Sequence, residues 1–326
     1  MEQYPYSVCV PQTDGDASDV IQRLINENPN RTIFFPDGEY LLSKPICTPA
    51  DPKKSVHLQL SNFAVLKAAD DWSSGEAMVR LGGIEPFNSI TIDGSNYGIT
   101  GGIIDGNGRA DGISVDSGRE TRILEVSIKH TRIGIHIRFG ANSGSSDADI
   151  MNVNIVGTGG TDSVGVLVEG YDNSFTNMRI ANVFSGFDIR SGGNVLRNIH
   201  PLYTSDYTDY QESAAFRDSN ENNWYNFCYS DQFAVCFRQT SGGRNIYSDC
   251  FGFWYSSKGG KTTAFRADKA FNSIVSHLKI CFRGDTENTL LSVGEDGGCG
   301  VFETPAVRGL AAEDTAYLTY LSGKVI

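Results

Sequence analysis

The chain has 326 residues and a formal net charge of −12, from 27 basic and 39 acidic side chains. Clustered cations hold nucleic acid and anionic membrane surfaces, so this charge balance disfavours both as partners. Every continuous apolar stretch is shorter than the ~20 residues that a membrane-spanning helix needs, and no span is predicted. The 36 glycines favour short strands joined by turns.

Cysteine usage indicates a reduced protein. The 7 cysteines include no C-x-x-C pair, and their number is odd. Neither a zinc site nor a complete disulfide framework is therefore indicated, and we interpret the cysteines as mostly buried apolar side chains. The first residues lack the basic and apolar regions of a secretion signal, which favours the cytoplasm. An extracellular or virion location is the alternative if a signal was removed or the chain derives from a phage.

Residues 1–47 are predicted to cap the repeats that follow them. A helix over Asp19–Asn26 is predicted from an acidic capping residue and from apolar residues at helical spacing, Ile21, Leu24 and Ile25. Two strands, Thr32–Phe35 and Tyr40–Leu42, are predicted after it. The open end of a stack of strands exposes apolar interior and backbone edges, so we expect the helix to cover it and to bury its three apolar residues.

Residues 48–300 contain a repeat of roughly 21 to 31 residues. Each copy ends a strand with an apolar residue and then a polar one: Val115-Asp116, Ile137-Arg138, Val168-Glu169, Ile189-Arg190, Phe216-Arg217, Phe237-Arg238 and Phe265-Arg266. Within each copy, apolar and polar residues alternate with a period of two residues, and apolar residues do not recur at helical spacing. This pattern is typical of the coils of an all-β parallel solenoid.

A second register runs through the same repeats. It places six residues at one equivalent position: Glu125, Asn152, Asn177, Asn198, Asn226 and Asp249. Asparagine tolerates the left-handed conformation of a sharp bend, and its amide can both donate to and accept from the next coil. We therefore interpret these asparagines as a structural ladder at one bend of the coil.

Three segments resemble a known superfamily. DGDASDVIQRLI and RTIFFPDGEYLL resemble the N-terminal cap of pectate-lyase-like (pectin lyase-like) proteins, and GGIIDGNG at Gly101–Gly108 is similar to a segment of polygalacturonases. The resemblance extends over most of residues 10–295. It implies a single-stranded right-handed parallel β-helix with an N-terminal capping helix. One structural domain would then comprise a cap (1–47), coils (48–300) and a C-terminal capping segment (301–326). Members include lyases, hydrolases, fructotransferases, epimerases and phage tailspikes, so the fold leaves the chemistry open.

The repeat endings predict a column of outward-facing arginines. Arg190, Arg217, Arg238 and Arg266 would stack on consecutive coils ~4.8 Å apart. Two unit charges at that distance repel by on the order of 3 kcal/mol at an effective dielectric constant of 20. Solvent and nearby acidic residues could relieve the repulsion, and so could an anionic ligand that fits the guanidinium fork.

An enlarged coil, IHPLYTSDYTDYQESAAF, follows Asn198 and is rich in tyrosine and acidic residues. Turn insertions build groove walls on a solenoid, aromatic faces suit sugar rings, and carboxylates supply proton transfer. A polar loop with ordinary surface tyrosines is the alternative. Candidate catalytic residues are Asp188, Asp209, Glu212 and Asp231, and candidate substrate-binding residues are Arg190, His200, Tyr203, Tyr207, Arg217, Arg238 and Trp254.

The predicted function is a carbohydrate-active enzyme that cleaves glycosidic bonds of an oligo- or polysaccharide, of the glycoside hydrolase or fructotransferase type. Hydrolysis needs two carboxyl groups, which the candidate set contains. One alternative is a lyase that acts on an anionic glycan by β-elimination with Arg, His or Tyr as the base, and calcium as cofactor. Another is a non-catalytic glycan-binding tail fibre or adhesin. A homo-oligomer such as a trimer is expected, and outside the lyase alternative no cofactor or metal is predicted.

Overall fold

The structure is a computed structural model, and it describes residues 7–85, 97–139, 144–204, 210–255, 260–282, 288–303 and 306–308. Within these ranges there is one α-helix, α1 (Ser18–Glu27), and there are two short 3-10 helices, Pro52–Lys54 and Tyr210–Glu212. The described helices are too short to cross a membrane. The chain divides into two compact units, Met1–Thr158 with Gly165–Asn173, and Gly159–Val164 with Ser174–Ile326. The boundaries predicted for the cap, coils and C-terminal segment remain predictions.

Short parallel strands make up most of the first unit. They are β1 (Ser7–Cys9), β2 (Thr32–Phe35), β3 (Gly38–Leu42), β4 (Ile46–Pro49), β5 (His57–Leu60), β6 (Ala64–Ala68), β7 (Ala77–Ile84), β8 (Gly98–Thr100), β9 (Ile103–Asp105), β10 (Asp111–Val115), β11 (Gly118–Arg119), β12 (Arg122–Leu124), β13 (Ser127–Thr131), β14 (Ile133–Ile137), β15 (Ser145–Ser146), β16 (Asp149–Met151), β17 (Asn154–Gly157) and β18 (Val164–Val168), whose first residue falls in the second unit.

Apart from β11 and β15, which pair with each other in a separate two-stranded sheet, these strands form three rows, because each pairs with strands one coil before or after it. The first row is β1, β2, β5, β8, β12 and β16, and the second row is β3, β6, β9, β13 and β17. The third row is β4, β7, β10, β14 and β18. One coil therefore contributes one strand to each row, which is the architecture of a parallel β-helix.

The second unit repeats this arrangement. Its strands are β19 (Ser174–Ala181), β20 (Ser185–Ile189), β21 (Val195–Leu202), β22 (Ala214–Asp218), β23 (Trp224–Asn226), β24 (Tyr229–Asp231), β25 (Val235–Gln239), β26 (Ile246–Ser248), β27 (Phe251–Trp254), β28 (Thr262–Ala267), β29 (Ile274–Ser276), β30 (Lys279–Phe282), β31 (Asn288–Val293), β32 (Val301–Phe302) and β33 (Ala306–Arg308). Strands β19 and β21 run through both the first and the second row. The first row continues as β23, β26, β29 and β32, and the second as β24, β27, β30 and β33. The third row is β20, β22, β25, β28 and β31.

Stacked aromatic rings fill the core of the second unit. Phe187, Phe216, Phe237 and Phe265 are in register on four neighbouring strands of the third row. The rings of Phe216 and Phe237 stack with centroids 5.1 Å apart. Because all four rings are buried, a slip of one strand by one residue would expose its ring, and the stack therefore fixes the register of the third row.

Residues with a left-handed backbone conformation lie at the bend between the first and second rows, as the asparagine pattern predicts. In the second unit Asn177 and Asn198 have φ of 55° and 53°, and the Asn198 Nδ2 donates to the Asn177 Oδ1 at 2.8 Å. In the first unit Glu125 and Asn152 occupy the bend with φ of 59° and 57°.

The predicted place of Asn226 in this ladder is wrong. Asn226 is the register partner of Arg197 and of Ser248, one position before the bend. Phe227 occupies the bend instead, with φ of 52°. The Asn226 side chain donates to the Ser248 Oγ at 3.0 Å. The next coil returns to the predicted pattern, because Asp249 has φ of 56°.

The N-terminal helix packs against β4, the first strand of the third row. Ile21 and Ile25 are buried as predicted, whereas Leu24 is partly exposed. The Gln22 amide binds the Cys47 backbone twice, accepting from its N–H at 2.8 Å and donating to its carbonyl at 3.0 Å. All seven cysteines are free thiols, and four of them are buried.

Candidate functional site

The third row of the second unit presents a line of charged side chains. Asp188, Arg217, Arg238 and Arg266 are register partners on β20, β22, β25 and β28. The predicted column of four arginines is therefore wrong at one end, because the aligned phenylalanines place Asp188 and not Arg190 beside Arg217. We call these four residues the charged row.

Carboxylates neutralise most of the arginines around the charged row. Arg238 binds Glu212 through Nη1 at 2.7 Å and Asp268 through Nε at 3.0 Å. The Arg266 Nε binds the other oxygen of Asp268 at 2.7 Å. Partial burial disfavours the charge of Arg238, but Glu212 and Asp268 outweigh this effect and raise the pKa of its guanidinium. Acidic side chains thus relieve the repulsion between stacked arginines.

Asp188 and Arg217 differ from those neighbours. Asp188 is buried, and its Oδ2 accepts from the Arg190 Nη2 at 2.8 Å. Arg217 is exposed, and within the described part of the chain its side chain has no hydrogen bond or ion pair. The charged row therefore offers one available guanidinium beside a carboxylate that is already hydrogen-bonded.

A cavity of about 350 Å³ lies beside the charged row. Its lining residues come from the enlarged coil and from the outer side of β25, β28 and β31: Gln211, Glu212, Ala234, Val235, Lys261, Thr263, Arg266, Thr289 and Ser292. The predicted loop residue Glu212 and one residue of the charged row, Arg266, thus line the same cavity. Asp209 and Tyr207 lie outside the described residues.

A buried carboxyl group lies directly after Arg217 in the sequence. Asp218 accepts hydrogen bonds from the Tyr225 hydroxyl at 2.6 Å, the Asn220 backbone N–H at 2.8 Å and the Asn223 amide at 3.0 Å. Burial raises the pKa of Asp218 to about 6, although the hydrogen bonds oppose it, and the charge of Asp188 adds to the rise. Because Asp218 faces the core, we assign it a structural role.

His200 and Asp231 come together as predicted candidates, but in the second row and not beside the charged row. The His200 ring stacks on Tyr229 with centroids 4.0 Å apart, and its Nε2 lies 3.8 Å from the Asp231 Oδ2. The Tyr229 hydroxyl donates to the same carboxylate at 3.2 Å. Burial and the charge of Asp231 raise the pKa of Tyr229 to about 12. The sequence reasoning missed Tyr229, although its spacing of two residues from Asp231 on one strand would have indicated it.

Two predicted binding residues belong to the core. Tyr203 and Trp254 are each only 1% exposed. Tyr203 packs edge-on against Tyr210 and Phe233, and the Trp254 Nε1 donates to the Phe233 carbonyl at 2.6 Å. Neither ring offers a face to a sugar in this structure, so both are core residues.

The first unit carries a second charged cluster on the outer side of its third row, which the candidate set missed. Arg80 binds Asp116, Arg138 binds Glu76, and His136 binds Glu169. Three of these residues end repeated strands in the sequence, so their shared position was a usable signal. Among the described residues, no group of three or more His, Cys, Asp or Glu side chains is arranged to hold a metal ion.

Comparison with known proteins places this geometry in a family. The family model described as rhamnogalacturonase A/epimerase, pectate lyase-like, matches residues 10–208. The chain belongs to this family. A search of curated proteins found no match.

Solved structures agree with this assignment. Endo-xylogalacturonan hydrolase from Aspergillus tubingensis is 15% identical with a TM-score of 0.63, over 92% of this chain and 91% of that one. ORF18 of Geobacillus virus E2 is 14% identical with a TM-score of 0.62, over 93% of this chain and 62% of that one. Tailspike gp49 of Acinetobacter baumannii bacteriophage Fri1, a capsular polysaccharide depolymerase, is 11% identical with a TM-score of 0.60. The match covers 94% of this chain and 64% of the tailspike.

The chain spans less than two thirds of the length of both viral proteins. At these identities the likeness shows the fold. It confirms the predicted right-handed parallel β-helix.

Proposed function

We propose that the protein acts on a polysaccharide, and that it hydrolyses glycosidic bonds of an anionic one at the charged row. The family match supports a glycan as the substrate class. The observation that carries the proposal is Arg217, an exposed guanidinium that lies in register with Asp188 and Arg238. A guanidinium in this position binds a carboxylate or sulfate group of a sugar through paired hydrogen bonds.

Carboxyl groups of the charged row and of the enlarged coil supply the chemistry of hydrolysis. One carboxylic acid gives its proton to the glycosidic oxygen as the bond to the anomeric carbon breaks. A second carboxylate takes a proton from the water that attacks that carbon. Asp188 is the candidate base, because it is in register with Arg217 on the neighbouring strand. Glu212 lines the cavity and is the second candidate carboxyl group, with Asp209 as the other loop carboxyl group.

Amide variants test these roles directly. The wild-type protein is offered polygalacturonate, xylogalacturonan, rhamnogalacturonan, alginate and hyaluronate, and new reducing ends are measured. On whichever polymer is cleaved, Asp188→Asn and Glu212→Gln are expected to lower turnover by roughly 10² to 10⁴-fold. Glu221→Gln, an exposed acidic residue away from the row, serves as the control. Wild-type rates in both Asp188→Asn and Glu212→Gln would remove the charged row as the site of hydrolysis.

The role of Arg217 has its own test. Arg217→Ala is expected to weaken binding of the anionic polymer, whereas Arg244→Ala, another exposed arginine of the same unit, should not. The loss should shrink as salt is raised, because ionic strength screens an exposed charge. Equal affinity of the wild type and Arg217→Ala would contradict anion recognition by this residue.

Elimination is the second candidate, and the same residue favours it. An exposed arginine beside a uronate can neutralise its carboxylate and so ease removal of the adjacent proton. Elimination gives an unsaturated uronide that absorbs in the ultraviolet, whereas hydrolysis does not. Cleavage with this absorbance would replace hydrolysis by elimination. Binding without new reducing ends would instead identify a non-catalytic glycan-binding protein.

A further inference from the structure

The outer side of the third row in the first unit carries a compact cluster of polar side chains. Arg80, Ser114 and His136 are register partners on the neighbouring strands β7, β10 and β14. Their side chains therefore project from the same side of the sheet, one strand spacing apart. Glu76, which precedes β7, and Asp116, which follows β10, complete the cluster with Arg138 and Glu169.

Each basic side chain of this cluster has an acidic partner. Arg80 binds the Asp116 Oδ2 through Nη2 at 2.6 Å and through Nε at 2.7 Å. The Arg138 Nη1 binds the Glu76 Oε2 at 2.6 Å. The His136 Nε2 lies 2.8 Å from the Glu169 Oε2. Both arginines of the cluster are thus paired with carboxylates, unlike Arg217 in the second unit, and the cluster suits a neutral ligand with many hydroxyl groups better than an anion.

Two buried atoms of the cluster are unsatisfied. The Ser114 Oγ and the Asp116 Oδ1 are buried and have no hydrogen-bond partner within the described residues, and the Arg138 Nη1 lies 3.7 Å from the Asp116 Oδ1. Both residues are only 2% exposed. An unsatisfied buried polar atom costs about 1–3 kcal/mol, so native proteins usually pair it with a protein group, a water or a ligand.

An exposed aromatic pair borders the cluster. Phe139 directly follows Arg138, and Tyr171 lies two residues after Glu169. Their rings meet edge to face with centroids 5.2 Å apart, yet Phe139 is 41% exposed and Tyr171 38% exposed. Isolated bridges join Phe139 to Gly144 and Tyr171 to Ser146, which hold the two rings at the ends of their strands. Exposed ring surface beside polar groups is the composition of a sugar-binding surface, because a pyranose has both C–H faces and hydroxyl groups.

We propose that this surface of the first unit binds a neutral sugar residue of a glycan. Phe139 and Tyr171 pack against the C–H groups of the ring, and Arg138 with Glu76 hydrogen-bonds its hydroxyls. This proposal rests on the proposed function only in taking a glycan as the ligand. It needs neither cleavage nor the charged row of the second unit.

Binding of neutral oligosaccharides to the full chain tests the proposal. Xylohexaose, cellohexaose, mannohexaose and maltohexaose are titrated by calorimetry and by saturation-transfer NMR. The wild type is expected to bind at least one of them, and the double variant Phe139→Ala/Tyr171→Ala to bind it at least tenfold more weakly. Phe63→Ala removes a ring that is 74% exposed elsewhere in the same unit, and it should leave the affinity unchanged.

Further variants separate this proposal from the proposed function. If the double variant does not fold, Tyr171→Ala alone is expected to weaken binding at least threefold. Arg217→Ala should leave the affinity for the neutral hexaose unchanged even where it reduces binding of an anionic polymer. Failure of the wild type to bind any of the four hexaoses, or equal binding by the variants, would overturn the neutral-sugar site. If a variant of the charged row loses cleavage but still binds the hexaose, the result bears on the proposed site of hydrolysis and leaves the neutral-sugar site supported.

Discussion

Asp218 shows how the core beneath the charged row responds to pH. Its carboxyl group is buried against Tyr225 and Asn223, and burial raises its pKa from the usual 3.8 of an aspartate to about 6. Between these two values the folded protein holds a proton that the unfolded chain has released. Stability attributable to this group is therefore present below about pH 4 and is lost as the pH rises towards 6.

This argument predicts a pH dependence that Asp218→Asn lacks. Each pKa unit corresponds to about 1.4 kcal/mol, and most of the shift is titrated in this range, so the wild-type free energy of unfolding should fall by roughly 2 kcal/mol relative to the variant between pH 4 and 6.5. Denaturant titrations of both proteins across this range measure the difference. Parallel curves for the two proteins would show that Asp218 is ionised in the fold as easily as in the unfolded chain.

Phe227 is a residue in an unfavourable backbone conformation. It stands at the bend where neighbouring coils have Asn198 and Asp249, and its φ of 52° is rare for a bulky side chain. The side chain is 53% exposed, so the fold gains little burial from it. The left-handed conformation costs about 1–2 kcal/mol for such a residue.

Replacing Phe227 by Asn is therefore expected to stabilise the protein, by about 1 kcal/mol. Chemical denaturation measures the change. Phe63→Asn is the matched control, because Phe63 is also an exposed phenylalanine but is absent from the residues with positive φ. A variant no more stable than the wild type would mean that the Phe227 ring makes contacts that offset its strain.

At the scale of elements, helix α1 depends on two buried side chains. Ile21 and Ile25 lie one turn apart and face β4. Asp16 fixes the start of the helix, since its carboxylate accepts from the Ser18 N–H at 3.0 Å and also binds the Ser43 hydroxyl. Burial alone would raise the pKa of Asp16, but these hydrogen bonds outweigh it and lower the pKa to about 2.

Ile21→Ala is expected to cost about 2–5 kcal/mol of stability, because it leaves a cavity between the helix and β4. Leu24→Ala should cost clearly less, since Leu24 is partly exposed. Thermal and denaturant unfolding of both variants measure this order. Equal losses would indicate that α1 is held by its polar contacts with Cys47 and Ser43 and not by its apolar face.

At the scale of the whole molecule, the repeat period made the fold predictable from the sequence. The apolar residue and the polar residue at each strand end recur visibly, and the left-handed bend selects a few residue types. The register within a coil was less predictable, because turns of different length separate the strands. Asn226 and Arg190 were each misplaced for this reason, by one and by two positions.

The candidate site was only partly predictable. Arg217, Arg238 and Glu212 were identified from the repeat endings and the enlarged coil. Tyr203 and Trp254 were not recognised as core residues. Tyr203 packs on Tyr210 inside the insertion, and Trp254 lies outside it and stacks on Phe282. His200 and Asp231 lie on strands of the second row, whereas the charged row lies on strands of the third row. The length of a strand does not predict to which row the strand belongs.

The pairing of each strand with only the strands one coil away has a mechanical consequence. Within either unit, a force that pulls on the chain would load the hydrogen bonds of the outermost coil first. Those bonds can break while the rest of the stack keeps its own, so extension would proceed in small, similar steps instead of one large rupture. Each unit is therefore expected to unfold under force coil by coil, and not in a single cooperative event.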